Sequence, residues 1–461
     1  MATYSSKKYP SGSVTSAQLA DGTVVAVDLA SNAVTTAKIN DAAVTVAKTS
    51  FGSSTASLNL PSGTTAQRPG SASGGTSRYN TDTGSLEFYN GTNWISTNLI
   101  PTVNSATGTI WAGAASCLTL SLTNASDTIT IRFLEAGTIL KDVNGVSVSA
   151  GSASVTVPSE VYGQTAGDTI AITVINADGT PASNSVNSTV IGLPTGGTAV
   201  TASGYRYNTF TASTNFVAPT NFNKTVEYLI VAGGGGSCAT GPTGTYPQAW
   251  GGGGGAGGLL QSSTTVTAGT YAVVVGAGGG NSTSGSSSSI FSISTVGGGK
   301  GGEYSAAGTA GGSGGGGGGD TFSAGGAGTS GQGYAGGTGK DLTPESGGGG
   351  GGAGAVGNAA VGDGSGAGGV GRQFSAWATA TSTGADSGYY AGGGGGGIGT
   401  GSGYNSSLSN LGGLGGGGRG SYTGYNEGAN NAANGTANTG GGAGGGNRSG
   451  GSGIVITRFA L

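Results

Sequence analysis

Aromatic side chains recur between glycine runs in the C-terminal half of the chain, and small polar residues surround them. Ser, Gly or Asn stands within two positions of each ring in this group: Trp377, Tyr389, Tyr390, Tyr404, Tyr422 and Tyr425. Tyrosine offers a large contact area at low entropic cost and keeps a polar tip, so recognition loops favour it. We predict these residues as receptor-binding candidates. For each ring one structural alternative stays open, namely that it caps the end of a glycine-rich region.

Catalytic chemistry finds little support in the sequence. The chain has no histidine, which removes Ser-His-Asp and Cys-His catalysis and histidine-ligated zinc. Carboxylates in the C-terminal region are isolated along the chain, whereas a glycosidase needs two at a defined separation. A GxGxxG string at residues 331–336 follows no apolar strand and opens no helix, so it does not indicate dinucleotide binding. We expect no enzyme activity, no catalytic residue, no metal site and no cofactor.

Glycine tracts are the elements that must position the aromatic residues. Most of the 106 glycines lie between residues 225 and 458, in runs such as 314–319 and 347–352. Glycine-rich segments usually behave as flexible linkers. Here apolar strands such as 226–231 and 454–456 bracket the runs, and a linker has no use for them. The pattern favours a lattice of polyproline-II-type helices, in which every backbone N–H and C=O finds its partner on a neighbouring tract.

Length and charge limit the classes of function. A chain of 461 residues corresponds to about two to four domains. The net charge is −3 and Lys and Arg are scattered, so there is no basic footprint for nucleic acid. No apolar run is long enough to predict a membrane span, and the first residues lack the pattern of a secretory signal. Cys117 and Cys238 fall in different candidate domains, so we expect two free thiols.

A ten-residue repeat occupies residues 14–48. Val recurs at every tenth position from Val14 to Val44, and Leu or Ile from Leu19 to Ile39. Such a repeat cannot bury its apolar face alone, so its copies must stack on each other or on other chains. The repeat resembles those of bacteriophage tail-fibre and virion proteins, which implies a trimeric shaft. Residues 1–50 are assigned to this attachment segment; a generic low-complexity tail is the alternative.

Residues 51–99 form a second unit around a predicted β-hairpin. A strand over 78–80 turns into a strand over 85–89, and a turn at Asn90 and Gly91 leads to a third. With residues 60–69, this pattern resembles a module of phage virion structural proteins, notably those of phages of marine cyanobacteria. We expect its aromatic residues to form a core rather than ligand contacts: Tyr79, Phe88, Tyr89 and Trp94. One hairpin is marginal by itself, so oligomerisation is expected.

Residues 100–194 alternate apolar and polar side chains over several short strands. Ile129, Ile131 and Phe133 share one face of one such strand. The spacing predicts an immunoglobulin-like β-sandwich without the Cys-Trp-Cys signature of that fold. Such domains on virions are commonly spacers, and no residue here indicates a ligand.

Residues 195–461 form the glycine-rich domain. Its opening segment 205–216, its strand 226–231, the step at 255–260 and the closing segment 451–459 resemble the glycine-rich domain of phage tail-fibre and adhesin proteins. The resemblance implies polyproline-II-type glycine helices edged by β-strands, with loops that touch the host surface.

The expected fold is therefore all-β: a decapeptide-repeat shaft, a β-hairpin module, an immunoglobulin-like sandwich and a glycine-rich domain. The expected protein is a non-enzymatic phage tail fibre, located on the virion, that adsorbs to the host cell. The alternatives are a head fibre or capsid decoration with a purely structural role, and an ice-binding or surface-matrix protein, which the N-terminal modules disfavour. The expected partners are two further copies in a homotrimer, other tail or capsid proteins through the N-terminus, and a host saccharide or outer-membrane protein. Neither nucleic-acid binding nor membrane insertion is expected.

Overall fold

The structure is a computed structural model that describes residues 60–82, 84–96, 100–177, 179–238, 251–341, 345–362, 364–399, 410–422 and 431–461. The predicted decapeptide repeat lies outside the described residues. The chain divides into two compact units, Met1–Thr97 and Asn98–Leu461. The described residues of the chain form mainly β-strands and, in the second unit, extended glycine tracts, which confirms the predicted all-β fold class. Within the described ranges, no helix has the length and apolar character needed to cross a bilayer.

The first unit contains a four-stranded sheet. Its strands are β1 (Ser62–Gly63), β2 (Ser77–Asn80), β3 (Ser85–Tyr89) and β4 (Trp94–Ser96), and a short 3-10 helix spans Thr65–Gln67. The strands follow one another across the sheet in that order. β1 is parallel to β2, and the other neighbours are antiparallel. The predicted hairpin is confirmed, with Asn80 opposite Ser85 at its turn.

The buried face of this sheet is polar. Arg78, Asn80 and Glu87 are 4%, 0% and 0% exposed, whereas Tyr79 and Phe88 are 43% and 38% exposed. The prediction that Tyr79 and Phe88 form the core is therefore wrong, because strand alternation turns the charged residues inward and these rings outward. The other two predicted core rings, Tyr89 and Trp94, contact each other with centroids 5.5 Å apart and are half-buried.

The second unit begins with a β-sandwich. One sheet contains β5 (Thr102–Thr107), β7 (Cys117–Thr123) and β10 (Ser152–Thr156); the other contains β6 (Ile110–Trp111), β8 (Thr128–Glu135), β9 (Thr138–Ser147), β11 (Thr169–Asn176) and β12 (Val186–Ile191). The orders are β10-β7-β5 and β6-β12-β11-β8-β9. Helix α1 spans Ser159–Tyr162. The alternating residues Ile129, Ile131 and Phe133 lie in the shared core with Leu118 and Leu120 of the facing sheet, so the predicted sandwich is confirmed.

A five-stranded sheet begins and ends the C-terminal part. Its strands are β13 (Thr198–Ala202), β14 (Tyr205–Phe210), β15 (Thr214–Val231), β16 (Leu259–Val273) and β21 (Ile454–Ala460), in the order β13-β14-β21-β15-β16. Smaller elements lie between β16 and β21: β17 (Ser288–Ile290), β18 (Ile293–Thr295), β19 (Arg372–Gln373), α2 (Ser375–Thr381) and β20 (Tyr389–Tyr390). The last strand of the chain thus lies in the middle of the sheet, so the domain closes on itself.

The sandwich and the C-terminal sheet share a junction. Trp111 of the sandwich is fully buried among residues of the C-terminal sheet, including Phe222 and Phe459. Lys224 lies 5.3 Å from the Trp111 ring centroid, and its Nζ donates to the Thr109 hydroxyl at 2.5 Å. The predicted boundary at residues 194 and 195 therefore separates two sheets but not two cores.

Candidate binding end of the glycine lattice

The glycine tracts between residues 232 and 453, here called the glycine lattice, pack around the central segment 251–258. Its N–H groups donate in turn to three neighbouring segments, so that every third residue donates to the same segment. The N···O distances are 2.8–3.0 Å. The donor–acceptor pairs are Gly252 with Gly302, Gly253 with Gly348, Gly254 with Ala443, Gly255 with Gly299, Ala256 with Gly351, Gly257 with Gly440, and Gly258 with Val296. A period of three residues is that of a polyproline-II helix.

The carbonyl groups of the same segment accept from three other segments. The donors lie in 232–235, 313–316 and 394–397, and they too recur every three residues. The donor–acceptor pairs are Gly397 with Gly251, Gly394 with Gly254, Gly316 with Gly253, Ser313 with Ala256, Gly235 with Gly255, and Ala232 with Gly258. Six neighbours therefore surround the central segment, and buried backbone groups find partners without any β-ladder.

The absence of side chains is what permits this packing. A Cβ atom added at Gly253, Gly254 or Gly257 would come closer than 3.0 Å to a backbone carbonyl oxygen of a neighbouring tract, a separation that real Cβ atoms essentially never show. None of these glycines has a φ in the left-handed region. They are required for close approach and not for an unusual backbone conformation. The predicted lattice of glycine helices is therefore what the chain forms.

The lattice has two distinct ends. At the near end, tracts join the sheet at Val231, Leu259 and Ile454. At the far end lies the layer that contains Gly251, Gly302 and Gly397, which is linked by the bonds from Gly252 N–H to Gly302 O and from Gly397 N–H to Gly251 O, both 3.0 Å. Tracts alternate in direction between these layers, so successive connections fall at one end or the other.

Three predicted candidates lie at the near end. Trp377 and Tyr390 are 4% and 0% exposed, in a core with Leu229 and Ile456 of the sheet. The Tyr390 hydroxyl is 2.6 Å from the Thr383 hydroxyl, and burial raises the Tyr390 pKa. Trp377 and Tyr390 are therefore withdrawn as receptor contacts, because the segment that carries them folds back onto the sheet. These two rings instead follow the structural alternative given above, because they cap the near end of the glycine lattice. Tyr389 is half-buried beside them.

Arg458 explains why this segment docks on the sheet. Its guanidinium carbon lies 4.5 Å from the ring centroids of both Tyr205 and Trp377. Its Nη2 donates to Glu227 Oε2 at 2.8 Å. A guanidinium between aromatic faces gains cation–π attraction, and its charge is balanced by the carboxylate.

Tyr422 lies at the far end. It follows Ser421, whose N–H donates to Gly445 O at 2.7 Å, and its ring centroid is 5.4 Å from the Arg419 guanidinium. Its side chain is half-buried. Tyr404 and Tyr425 lie outside the described residues. The described residues that flank them, Gly399 and Tyr422 among others, belong to the far end.

Carboxylates also gather at the far end. Burial, with the charges of Asp320 and Asp341, raises the pKa of Glu345. The Tyr304 hydroxyl donates to Asp320, which raises the Tyr304 pKa. Gly399 N–H donates to the Glu345 carbonyl at 2.9 Å, so this acidic group adjoins Gly399. Across the ranges given above, no group of His, Cys, Asp and Glu is arranged to hold a metal ion.

Cys238 is buried in the same layer. Its Sγ lies 3.5 Å from Glu303 Oε1, which pairs with Lys300 Nζ at 3.3 Å. Burial raises the pKa of the Cys238 thiol, which keeps it protonated and unreactive. Cys117 is exposed, and both thiols are free, as predicted.

Sequence reasoning did not find the acidic group at the far end. Asp320 is well separated in sequence from Asp341 and Glu345, but each member follows a tract that runs away from the sheet or precedes one that returns to it. The signal available was positional: Asp320, Asp341 and Glu345 all stand within a few residues of a glycine run. The lengths of the glycine runs alone do not predict which connections lie at the same end of the lattice.

A family model for a glycine-rich domain matches residues 208–460. The match covers more than half of the chain, and the chain therefore belongs to this glycine-rich domain family. The predicted glycine-rich domain is confirmed over that range. No curated protein and no solved structure matches the chain.

Proposed function

We propose that this chain is a non-enzymatic structural protein of a bacteriophage virion, a tail fibre that binds the surface of the host cell. The observation that carries the proposal is the difference between the two ends of the glycine lattice. The near end is closed by the sheet and helix α2, and the sheet is joined to the sandwich through Trp111. The far end presents polar and aromatic residues. A rigid scaffold with recognition residues opposite its attachment is the arrangement of a binding tip.

The chemistry of the far end suits a polar receptor. Tyr422 and Tyr304 offer rings with polar tips, and Asp320, Asp341 and Glu345 offer acceptors. Aromatic faces and carboxylates together recognise sugar rings and their hydroxyl groups, and also polar protein surfaces. The receptor is a host surface saccharide or an outer-membrane protein. Tyr404 and Tyr425, which lie outside the described residues, stay predicted receptor contacts.

Assembly as a homotrimer would make weak single sites sufficient. Three tips on one fibre convert later binding events into intramolecular ones, which can raise the overall affinity by about 10²–10⁴ without any new contact. The N-terminal repeat and the hairpin module supply attachment to other virion proteins in this proposal.

The test is adsorption. The labelled full chain is added to cells of the host and of resistant relatives, and its competition with the virions that carry it is measured. Selective, saturable binding that blocks adsorption supports the proposal. Treating the cells with periodate or with protease beforehand then distinguishes a saccharide from a protein receptor.

A folded full chain that binds no host cell, together with antibody labelling over the capsid rather than the tail, would contradict the tail-fibre assignment. That result would favour the capsid-decoration alternative, in which the lattice has only a structural role.

A further inference from the structure

A groove lies on the flank of the glycine lattice, close to the near end. It is lined by residues of segment 327–335 and by Ala353, Val356 and Arg372. Leu259 N–H donates to Gln332 O at 3.0 Å, which places segment 327–335 beside the C-terminal sheet. The groove has a volume of about 690 Å³ or less, with about 650 Å³ for its own space, and ligand sites usually measure about 300–1,000 Å³.

Arg372 gives the groove its charge. It is exposed, and it is the one charged side chain among the lining residues. Its guanidinium carbon lies 5.3 Å from the ring centroid of Phe374. None of the ion pairs among the described residues includes Arg372. A guanidinium without an internal counter-charge is suited to a carboxylate, which it binds through two parallel hydrogen bonds.

The turn at residues 329–333 adds backbone donors to the same groove. The N–H groups of its last two residues donate to Thr329 O at 3.0 and 3.1 Å. The N–H groups of Ser330 and Gly331, which precede them, have no acceptor among the described residues. Both residues are exposed and line the groove. Their N–H groups are therefore available to a ligand.

An aromatic ring and an aliphatic side chain supply the apolar part of the lining. Tyr334 and Val356 are 48% and 55% exposed. The lattice holds the backbone of Tyr334 on both sides, because its N–H donates to Gly352 O at 3.1 Å and its carbonyl accepts from Gly314 N–H at 3.0 Å. An exposed ring on a fixed backbone offers a flat surface with a polar tip, against which the C–H face of a sugar can pack.

These groups together select one class of ligand. A neutral sugar would leave the Arg372 charge unused, and a small inorganic anion would leave the Tyr334 ring unused. We propose that the groove binds an acidic saccharide, with a sugar carboxylate on Arg372 and a sugar ring against Tyr334. The free N–H groups of Ser330 and Gly331 then donate to its oxygens. This site is separate from the far end of the lattice and goes beyond the proposed function, since it does not require the far end to bind cells.

Titration calorimetry of the full chain with two matched probes tests the site. The probes are trigalacturonate and its full methyl ester, which keeps the sugar rings but loses the charge. We expect the acid to bind at least about tenfold more tightly than the ester. Arg372→Gln should remove this difference, whereas Tyr334→Ala should weaken both probes by a similar factor. Lys141→Gln, which removes an exposed positive charge from the sandwich, should leave both affinities unchanged.

Three results of this titration would overturn the proposal. They are equal affinity of the wild type for acid and ester, binding of neither probe, and an acid-to-ester ratio that Arg372→Gln leaves unchanged. A capped tri-aspartate peptide, which has the same charge as trigalacturonate, serves as the third probe. Tighter binding of the peptide than of the saccharide would assign the groove to an acidic protein segment instead.

Hydrogen exchange at residue resolution gives a readout that needs no variant. Saturating trigalacturonate should slow the exchange of the Ser330 and Gly331 amides, because these two have no internal acceptor. Protection confined to the far end of the lattice would overturn the proposal. A chain that shows this protection but adsorbs to no host cell would support the groove and contradict the tail-fibre assignment, so the two failures are distinguishable.

Discussion

The ring of Trp111 lies 5.3 Å, centroid to centroid, from the ring of Phe459, a residue of the last strand of the chain. Trp111 belongs to the sandwich, and Phe459 belongs to the sheet that supports the glycine lattice. The contact therefore joins the sandwich to the C-terminal sheet through a common core.

Trp111→Ala should uncouple the unfolding of the sandwich from the unfolding of the C-terminal sheet. Loss of a buried tryptophan costs about 3–5 kcal/mol, and this one sits where the two sheets meet. In calorimetry we expect one cooperative transition to separate into two. Ile131→Val is the matched control: it should lower stability by about 0.5–1.5 kcal/mol within the sandwich without splitting the transition. A single transition in Trp111→Ala would show that the junction is not held by this residue.

Gly254→Ala should disrupt the lattice. Its Cβ would strike the backbone carbonyl of Gly235, and neighbouring tracts cannot move apart without breaking hydrogen bonds. We expect a loss of at least about 3 kcal/mol, at the upper end for overpacking, measured by thermal melting of the circular dichroism signal. Gly280→Ala is the control, because a Cβ there meets only the Thr283 hydroxyl at 3.7 Å. Equal melting of the two variants would contradict the lattice described above.

Glu87→Gln should destabilise the hairpin module. Arg68 Nη2 lies 2.6 Å from Glu87 Oε2, and Arg78 Nε lies 3.4 Å from Glu87 Oε1. The change removes the counter-charge of both arginines and should cost about 3 kcal/mol. Hydrogen exchange of the backbone amides of residues 77–89 measures this loss of stability. Glu160→Gln, which breaks an exposed pair with Lys141 at 2.6 Å, should have little effect on its own surroundings.

The same carboxylate predicts a pH dependence. The hydrogen bond from Arg68 holds the pKa of Glu87 below its ordinary value of 4.5. Its contribution is therefore complete above that pH and is lost as the pH falls through the lowered pKa. Protection of residues 77–89 should decline in that acid range in the wild type but not in Glu87→Gln. A parallel decline in both would assign the effect to another group.

Glu345→Gln should stabilise the glycine-rich domain slightly at neutral pH. Burial and the neighbouring Asp320 and Asp341 raise the pKa of Glu345, so its ionised form opposes folding. We expect a higher melting temperature than that of the wild type at pH 7, with a difference that shrinks as the pH falls and the wild-type carboxyl is protonated. Glu135→Gln in the sandwich controls for removal of a charge elsewhere. A loss of stability in Glu345→Gln would mean that the carboxylate is stabilised where it lies.

Tyr422→Ala and Tyr389→Ala should differ in their effect on cell binding. Tyr422 lies at the far end and Tyr389 at the near end, and both rings are half-buried. If the far end is the tip, Tyr422→Ala weakens binding of the full chain to host cells by about 10-fold or more, the effect of losing an aromatic anchor, and Tyr389→Ala leaves it unchanged. The reverse order would move the binding surface to the sheet.

Much of this architecture could be predicted from local patterns. The alternation in β8 and the apolar runs that became β15 and β21 identify the sheets, and the glycine runs identify the lattice. Local patterns could not reveal the direction in which each glycine tract runs, toward the sheet or away from it. Trp377 and Tyr422 stand in similar Ser- and Thr-containing neighbourhoods, yet one closes the near end and the other lies at the far end. The difference depends on which way the preceding tract runs.

The prediction of which residues form the core of the hairpin module was wrong for a different reason. Its aromatic and charged residues alternate with equal regularity, so periodicity gives two faces but does not say which is buried. Apolar residues are buried more often than charged ones, and that general preference was misleading at Tyr79 and Phe88. Arg68, which donates to the buried Glu87 carboxylate, is nineteen positions away in the sequence. No local pattern predicts such a contact.

The alternating tracts separate the frame of the domain from its tip. Each far-end connection begins and ends on neighbouring tracts, so the distance between its two ends is fixed by the lattice and not by its own length. Loop closure becomes only slightly more costly as a connection lengthens. Insertions or deletions in a far-end connection such as residues 320–322 should therefore leave the backbone hydrogen bonds of the glycine tracts intact. The length of one far-end connection can therefore change without refolding the rest of the domain.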